Sequence, residues 1–399
     1  MSKLCALALS FGMVAAASAQ EFLDTLGQRL TLRAFDDNVR ARVSGTLDVE
    51  YYRFEQPAPG LIFSDDHNLL NPRLTMFFDA QLGAPVYVFT QARVDRGFDP
   101  SDRGAQIRLD EYALRVTPWK DGRFSLQVGK FATVIGNWVG RHLAWDNPFI
   151  NAPLVYEQLT PLEDKVAPNA SQPYDGELHD EKYEYIPVIW GPSYASGVSI
   201  AGRVWKLEYA AEVKNASLAS RPESWDVTRI GFEHPTVSGR LGVRPNEMWN
   251  FGFSASDGAY FRPEAQHTIS NGDVGDYHQK LLAQDVSFAW RHLQIWAEFH
   301  EARFEVPTLG DADSFAYYIE AKYKFLPQLF GAVRWGQQFF SDVTDADGDE
   351  ISWADDISRI EAAITYRFTE HTQLKLQYYF QHEDDRDQST FAAQFTVRF

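Results

Sequence analysis

The chain has 399 residues, of which 55 are acidic against 37 Lys and Arg, giving a formal net charge of −18; aromatic residues make up 15% and there is one cysteine. That acid surplus excludes nucleic acid as a partner, because phosphate binding needs clustered Lys and Arg. Cys5 falls in what reads as a leader, so disulfides, thiolate metal sites and covalently attached haem are excluded from the exported chain.

In chain order, Lys3, the apolar run 4–17 and the small residues Ala17, Ser18 and Ala19 form a secretory signal, which makes 1–19 a cleaved leader. Residues 20–37 are expected to be a short periplasmic N-terminal segment, with one short helix at "EFLDTLGQRL". From residue 38 onward the dominant signal has period two. Val43, Gly45, Leu47, Val49 and Tyr51 alternate with Arg42, Ser44, Thr46, Asp48 and Glu50; Leu74, Met76, Phe78 and Ala80 alternate with Arg73, Thr75 and Asp79. The pattern returns in "FAYYIEAKYKF", "IEAAITYRF" and "LKLQYYF", and the chain closes on "FAAQFTVRF".

This rhythm predicts strands near 38–53, 72–82, 85–97, 106–118, 122–131, 193–202, 204–215 and 226–244. Eight more are expected near 248–257, 278–291, 293–304, 313–325, 328–340, 356–368, 372–382 and 389–399. Splitting 226–244 at Pro235, or adding a strand at 183–190, would point toward eighteen instead of sixteen. Short turns, such as those around 82–85, 119–122, 201–203 and 369–372, alternate with longer polar loops. The longest of these, 132–192, is the third and is expected to be extracellular.

Alternating antiparallel strands bury their apolar face against another sheet or turn it to lipid. A file such as Arg42, Thr46, Asp48 and Glu50 is too polar for a dry core but suits a wet lumen. Aromatics including Tyr51, Tyr52, Trp119, Trp205, Trp249, Tyr323, Phe340, Phe368 and Phe399 crowd the strand ends, as interfacial girdles require. The expected fold is therefore all-β, a transmembrane antiparallel up-and-down β-barrel spanning 38–399, whose last strand must close on its first.

On that ending the sequence resembles bacterial outer-membrane β-barrels. The resemblance implies an outer-membrane location, contact with lipid and lipopolysaccharide, and an assembly signal at Phe395, Val397 and Phe399 read by the barrel assembly machinery. Barrels of sixteen to eighteen strands leave an aqueous channel. The architecture is similar to the general porin superfamily, in which a long third loop folds inward and narrows the bore and the assembly is a homotrimer. "LQVGKFATVIGNW" (126–138) resembles a strand-to-loop segment of phosphate-selective-type porins, although those anion channels are basic where this chain is acidic.

The expected activity is passive diffusion of small hydrophilic solutes and ions, leaning toward cations. At the constriction, Asp146, Glu157, Glu163 and Asp164 of the long loop would face Arg42, Arg73, Arg93 and Arg115 on the wall, setting a transverse field. Trp138, Trp145 and Trp190 are candidates for stacking on solute rings; the plainer reading is that they pin the loop. In "SDVTDADGDEISWADD" the carboxylates Asp345, Asp347, Asp349 and Glu350 suit a structural Ca²⁺ in loop 341–356, and no other cofactor is expected. The rival functions are a barrel sheath for a partner such as an electron-conducting cytochrome, and an outer-membrane enzyme. For the latter the only pointer is Glu298 and His300 on one strand face with Glu301 adjacent, and no nucleophile motif accompanies them.

Overall fold

The computed structural model describes residues 20–95, 106–169, 174, 176–178, 182–222, 231–344, 348–384 and 386–399. The leader and the carboxylates Asp345 and Asp347 lie outside the described residues. Sixteen long strands form the wall. They are β1 (Val39–Phe54), β2 (Asn68–Leu82), β3 (Val86–Asp95), β4 (Gln106–Val116), β5 (Ser125–Phe131), β6 (Ala195–Val204), β7 (Leu207–Lys214) and β8 (Thr236–Val243). The others are β9 (Trp249–Ala259), β10 (His278–Trp290), β11 (Leu293–Val306), β12 (Gly310–Lys324), β13 (Leu329–Phe340), β14 (Ile357–Arg367), β15 (Thr372–Glu383) and β16 (Arg386–Arg398). Each pairs antiparallel with the next, and β1 pairs with β16 as well as β2, so the sheet is closed.

The seam runs to the last residue: Phe399 N–H donates to the Gly45 carbonyl at 3.0 Å and Gly45 N–H to the Phe399 carbonyl at 3.2 Å. Closure leaves no backbone group unpaired toward lipid, which is why the terminal residues are strand-like rather than frayed. Outward parity is apolar through the middle of the strands and turns polar toward the long-loop end, at Lys280, Glu301 and Arg303. Leu47, Val49, Phe251, Ile319, Ile364 and Phe395 are exposed in the isolated chain, as a lipid-facing belt requires.

Residues 226–230 of the strand expected at 226–244 lie outside the described residues; among those described, the eighteen-strand alternatives do not occur. Strand β8 begins at Thr236, directly after Pro235, which lacks the N–H a ladder needs. Tyr185–Pro187 pairs with Leu159–Glu163 inside the long loop, away from the wall. One turn shifts: "AGR" stays in strand, and Trp205 and Lys206 make the reversal, with Trp205 at φ 55°. Gly202 is needed where the Arg123 carbonyl approaches too closely for a Cβ, so its glycine marks crowding rather than a turn.

The N-terminal segment forms a helix over 20–29 and a strand, Thr31–Ala34, that folds back on the start of β1. It sits at the short-turn end, where the His371 ring bonds the Asp24 carboxylate at 2.8 Å.

The interior departs from a uniformly wet lumen. In the long-loop half, inward residues Leu281, Ala283, Phe304, Ala316 and Tyr318 pack against Ile135, Val155, Leu159, Ile186, Ile189 and Tyr260 from the loops in one hydrophobic core. Asp48 and Glu50 are only 1% and 0% exposed. Their desolvation is offset in part by Arg73, at 3.5 and 2.5 Å, and by donors from Asn71, Gln394 and Thr396. Tyr52 belongs to this inner face and not to a girdle: its hydroxyl donates to Glu50 at 3.3 Å. Phe340 likewise packs inward on Trp353.

Candidate functional site: a constricted lumen

The long loop between β5 and β6 enters the barrel and crosses the inner wall from β11 to β16. Its backbone is held by wall side chains one after another. The Glu298 carboxylate on β11 accepts the backbone N–H of Asn137 and of Trp138 (2.7 Å), the Tyr156 hydroxyl (2.6 Å) and His300 Nε2 (3.0 Å). Arg141 reaches out from the loop to Glu320 on β12 at 2.6 Å and lies over the Trp296 ring. Arg334 on β13 and Arg359 on β14 both donate to the Ala152 carbonyl, at 2.9 and 2.7 Å; they share Glu361 as a countercharge, with Glu320 completing the balance for Arg334 and Glu157 for Arg359.

On β15, Lys375 spends its three donors on the carbonyls of Ala144, Asn147 and Phe149, at 3.0, 2.7 and 3.1 Å. Beside it, Gln377 accepts from Ile150 N–H at 2.5 Å. The lowest point of the loop is Trp145, stacked under Arg398 at 3.9 Å and Arg367 at 4.8 Å near the short-turn end.

Pressed against β11–β16, the loop leaves, among the described residues, a space toward β2–β4. There a cavity of about 110 Å³ is lined by Arg73, Arg93, Arg108 and Asp110 on one side. Trp138, His142, Tyr156, Glu157 and Trp190 line the other. The guanidiniums keep some contact with the space, 13% for Arg73 and 19% for Arg93, while the carboxylates behind them are at most 2% exposed. Arg93 lies 3.1 Å from Asp95 and 3.3 Å from Asp110; Arg108 lies 3.4 Å from Asp110. The groups facing the cavity on this side are cationic, with their counter-charges one layer back.

His142 is held as the neutral ring. Its Nδ1 donates to the Val139 carbonyl at 2.5 Å and its Nε2 accepts from the Tyr194 hydroxyl at 2.8 Å. Burial pushes its pKa down to about 4; the charges of Arg93 and Arg73 act in the same direction, against the pull of the Val139 bond.

Of the residues expected at a constriction, Arg73, Arg93 and Glu157 meet at this cavity. The Glu157 carboxylate is already bonded to Arg359 at 2.6 Å, and burial raises its pKa. Arg42 lies below, in the mouth at the short-turn end. Arg115 bonds Gln127 and stacks over Phe89. Asp146, exposed on the loop, lies on the side of Lys322, Arg367 and Arg398. Glu163 pairs in the short ladder with Tyr185, and Asp164 bonds Arg262 at 2.7 Å, both high in the long-loop half.

Trp138 and Trp190 line the cavity, 4% exposed each; Trp138 packs on Tyr156 at 4.6 Å, and Trp145 is clamped below. Asp349 and Glu350 sit at a hairpin made by Asp342–Thr344 and Glu350–Ser352, exposed. Phe395 faces outward, and Val397 and Phe399 are half-buried at the seam.

Arg108 and Asp110 escape a parity reading counted from Arg115. Between β3 and β4 the register slips: Gln91 opposes Glu111 but Ala92 opposes Leu109, so Asp110 is the extra residue of a bulge. Beyond it the inward parity changes from odd to even numbers, which carries Arg108 to the neck.

With the closed sheet, the lipid belt and the inserted loop established, comparison with solved structures agrees. Salmonella typhi OmpF, in a complex with daunomycin, superposes with a TM-score of 0.57 at 13% identity, covering 92% of this chain and 100% of that one. The fold is that of the outer-membrane porins. An anion-selective porin from Comamonas acidovorans gives 0.52 at 8% identity over 90% and 100% of the two chains. OmpT of Vibrio cholerae in a trimer form gives 0.54 at 11% over 90% and 99%. No family model and no curated protein sequence matches the chain. A barrel of this porin type resides in a bacterial outer membrane, long loops outward and short turns toward the periplasm.

Proposed function

We propose that the protein is a passive outer-membrane channel for small hydrophilic solutes and ions, with the neck beside the inserted loop as its selectivity point. The observation that carries this reading is the cavity left between Arg73, Arg93 and Arg108 and the long loop inside the barrel. The chain's acid surplus draws cations to the outer mouth, and the guanidiniums at the neck oppose their passage there. The net cation preference is therefore small.

Two further features belong to the same reading. The assembly is a homotrimer, as one similar porin is, and Phe395, Val397 and Phe399 are the segment read by the assembly machinery. A sheath for an electron-carrying partner needs an open bore, and residues 137–152 occupy it. An enzyme built on Glu298 and His300 would need a free carboxylate, yet Glu298 has four donors on it, and Glu301 points to the opposite, outer face.

The test is conductance of the refolded protein in planar bilayers under a salt gradient. Stepwise openings with a small cation-side reversal potential support the channel; a silent bilayer with correctly folded protein removes it.

A further inference from the structure

Charge is sorted along the barrel axis. At the long-loop mouth, the described residues of segment 341–356 include five acidic ones and no Lys or Arg, and segment 55–67 carries three and none. Asp65, Asp66, Asp349, Glu350, Asp355 and Asp356 are exposed there. Arg386 is a countercharge at that end, but it stands among Asp384 and Asp387.

The lining of the short-turn mouth has the opposite sign, with Arg33 partly countered by Asp37 at 4.0 Å. A cavity of about 710 Å³ is lined by Arg33, Arg40, Arg42 and His371, with Asp24 as the one carboxylate among its described lining residues. Above it the inner wall continues with Lys322, Arg367 and Arg398, tempered by Asp146 and Glu370. The neck arginines then separate an acidic outer zone from a basic inner one.

From this arrangement we propose that the channel rectifies, passing more current when its long-loop side is positive than when the voltage is reversed. The inference rests on the channel reading above. A zone of fixed negative charge fills with mobile cations and a zone of fixed positive charge with mobile anions. When the long-loop side is positive, cations enter through the acidic mouth and anions through the basic mouth, and both converge on the neck, raising its carrier density. The opposite voltage draws both away and depletes the neck. The effect requires screening lengths comparable to the zones: about 30 Å at roughly 0.01 M salt, against about 3 Å at 1 M.

Purified residues 20–399, which contain no cysteine, are inserted into planar bilayers at roughly 0.01 M KCl. Orientation is assigned with a Glu264→Cys variant, labelled on this exposed loop by an impermeant thiol reagent added to one side. Instantaneous currents at equal and opposite voltages should differ about twofold, larger with the long-loop side positive, and converge at about 1 M. Replacing Arg33, Arg40 and Arg42 by Gln, or Asp349, Asp355 and Asp356 by Asn, should each bring the ratio toward one. Equal currents at low salt, the opposite polarity, or a ratio that neither set changes would overturn rectification while leaving the channel intact. A silent bilayer removes the channel, and the inference with it.

Discussion

The residues at the neck act through position rather than number. Arg108 contributes a guanidinium whose countercharge, Asp110, lies behind it at 3.4 Å. Arg108→Gln therefore leaves that carboxylate less compensated near the path. The reversal potential under a salt gradient should move toward cation selectivity, with permeability ratios changing about two- to fivefold. His142 gives a pH signature. Its pKa is depressed to about 4 from an ordinary value near 6.5, so the unfolded chain binds a proton in that interval and the folded chain does not. The stability it supports is complete above about 6.5 and is lost as pH falls toward 4, by about 3 kcal/mol. The melting temperature of the wild type should therefore fall more steeply over that interval than that of His142→Gln; parallel curves would refute the assignment.

At the scale of elements, the inserted loop has little helix or sheet of its own. It is positioned because wall side chains substitute for the hydrogen bonds a regular element would supply. Lys375 and Glu298 illustrate the two signs: an ammonium on three carbonyls, and a carboxylate on two amides and a hydroxyl. Lys375→Met keeps the length and removes all three donors, leaving buried carbonyls unsatisfied at about 1–3 kcal/mol each. The barrel should survive, but the loop should become sensitive to added protease and single-channel conductance should rise. Unchanged protection would mean that the remaining clamps suffice. Glu298→Gln tests the other end of the loop and should act in the same direction, because a neutral amide is a weaker acceptor for the N–H pair.

For the whole molecule, closure is the controlling event. Gly45 faces Phe399 across the seam, where an added Cβ would lie 2.8 Å from the Phe399 ring and 2.9 Å from the Thr75 carbonyl. Gly45→Val must displace the Phe399 ring at the seam and strain the β1–β2 pairing at the Thr75 carbonyl. Its heat-resistant band on a detergent gel should convert to the unfolded position well below the wild-type temperature, whereas Ser44→Val, on the inner face, should not behave this way. An unchanged transition for Gly45→Val would show that the seam tolerates the strain.

The sequence by itself determined the barrel, because lipid on one side and a polar or packed interior on the other impose a period of two that each strand carries locally. Sixteen segments, the alternation of short and long connections, the long third loop and the closing strand are all legible in that way. Tertiary structure alone decided which inward residues meet. A bulge at Asp110 changes parity without a mark in composition, and so brings Arg108 to the neck. Asp146 and Glu157 belong to one loop yet face different walls, because the descending backbone is fixed by partners more than a hundred residues away. Whether an inward position is wet or buried likewise depends on the loop lying across it. Asp48 and Glu50 look like lumen surface in the strand pattern, and pairing with Arg73 on the neighbouring strand makes them interior.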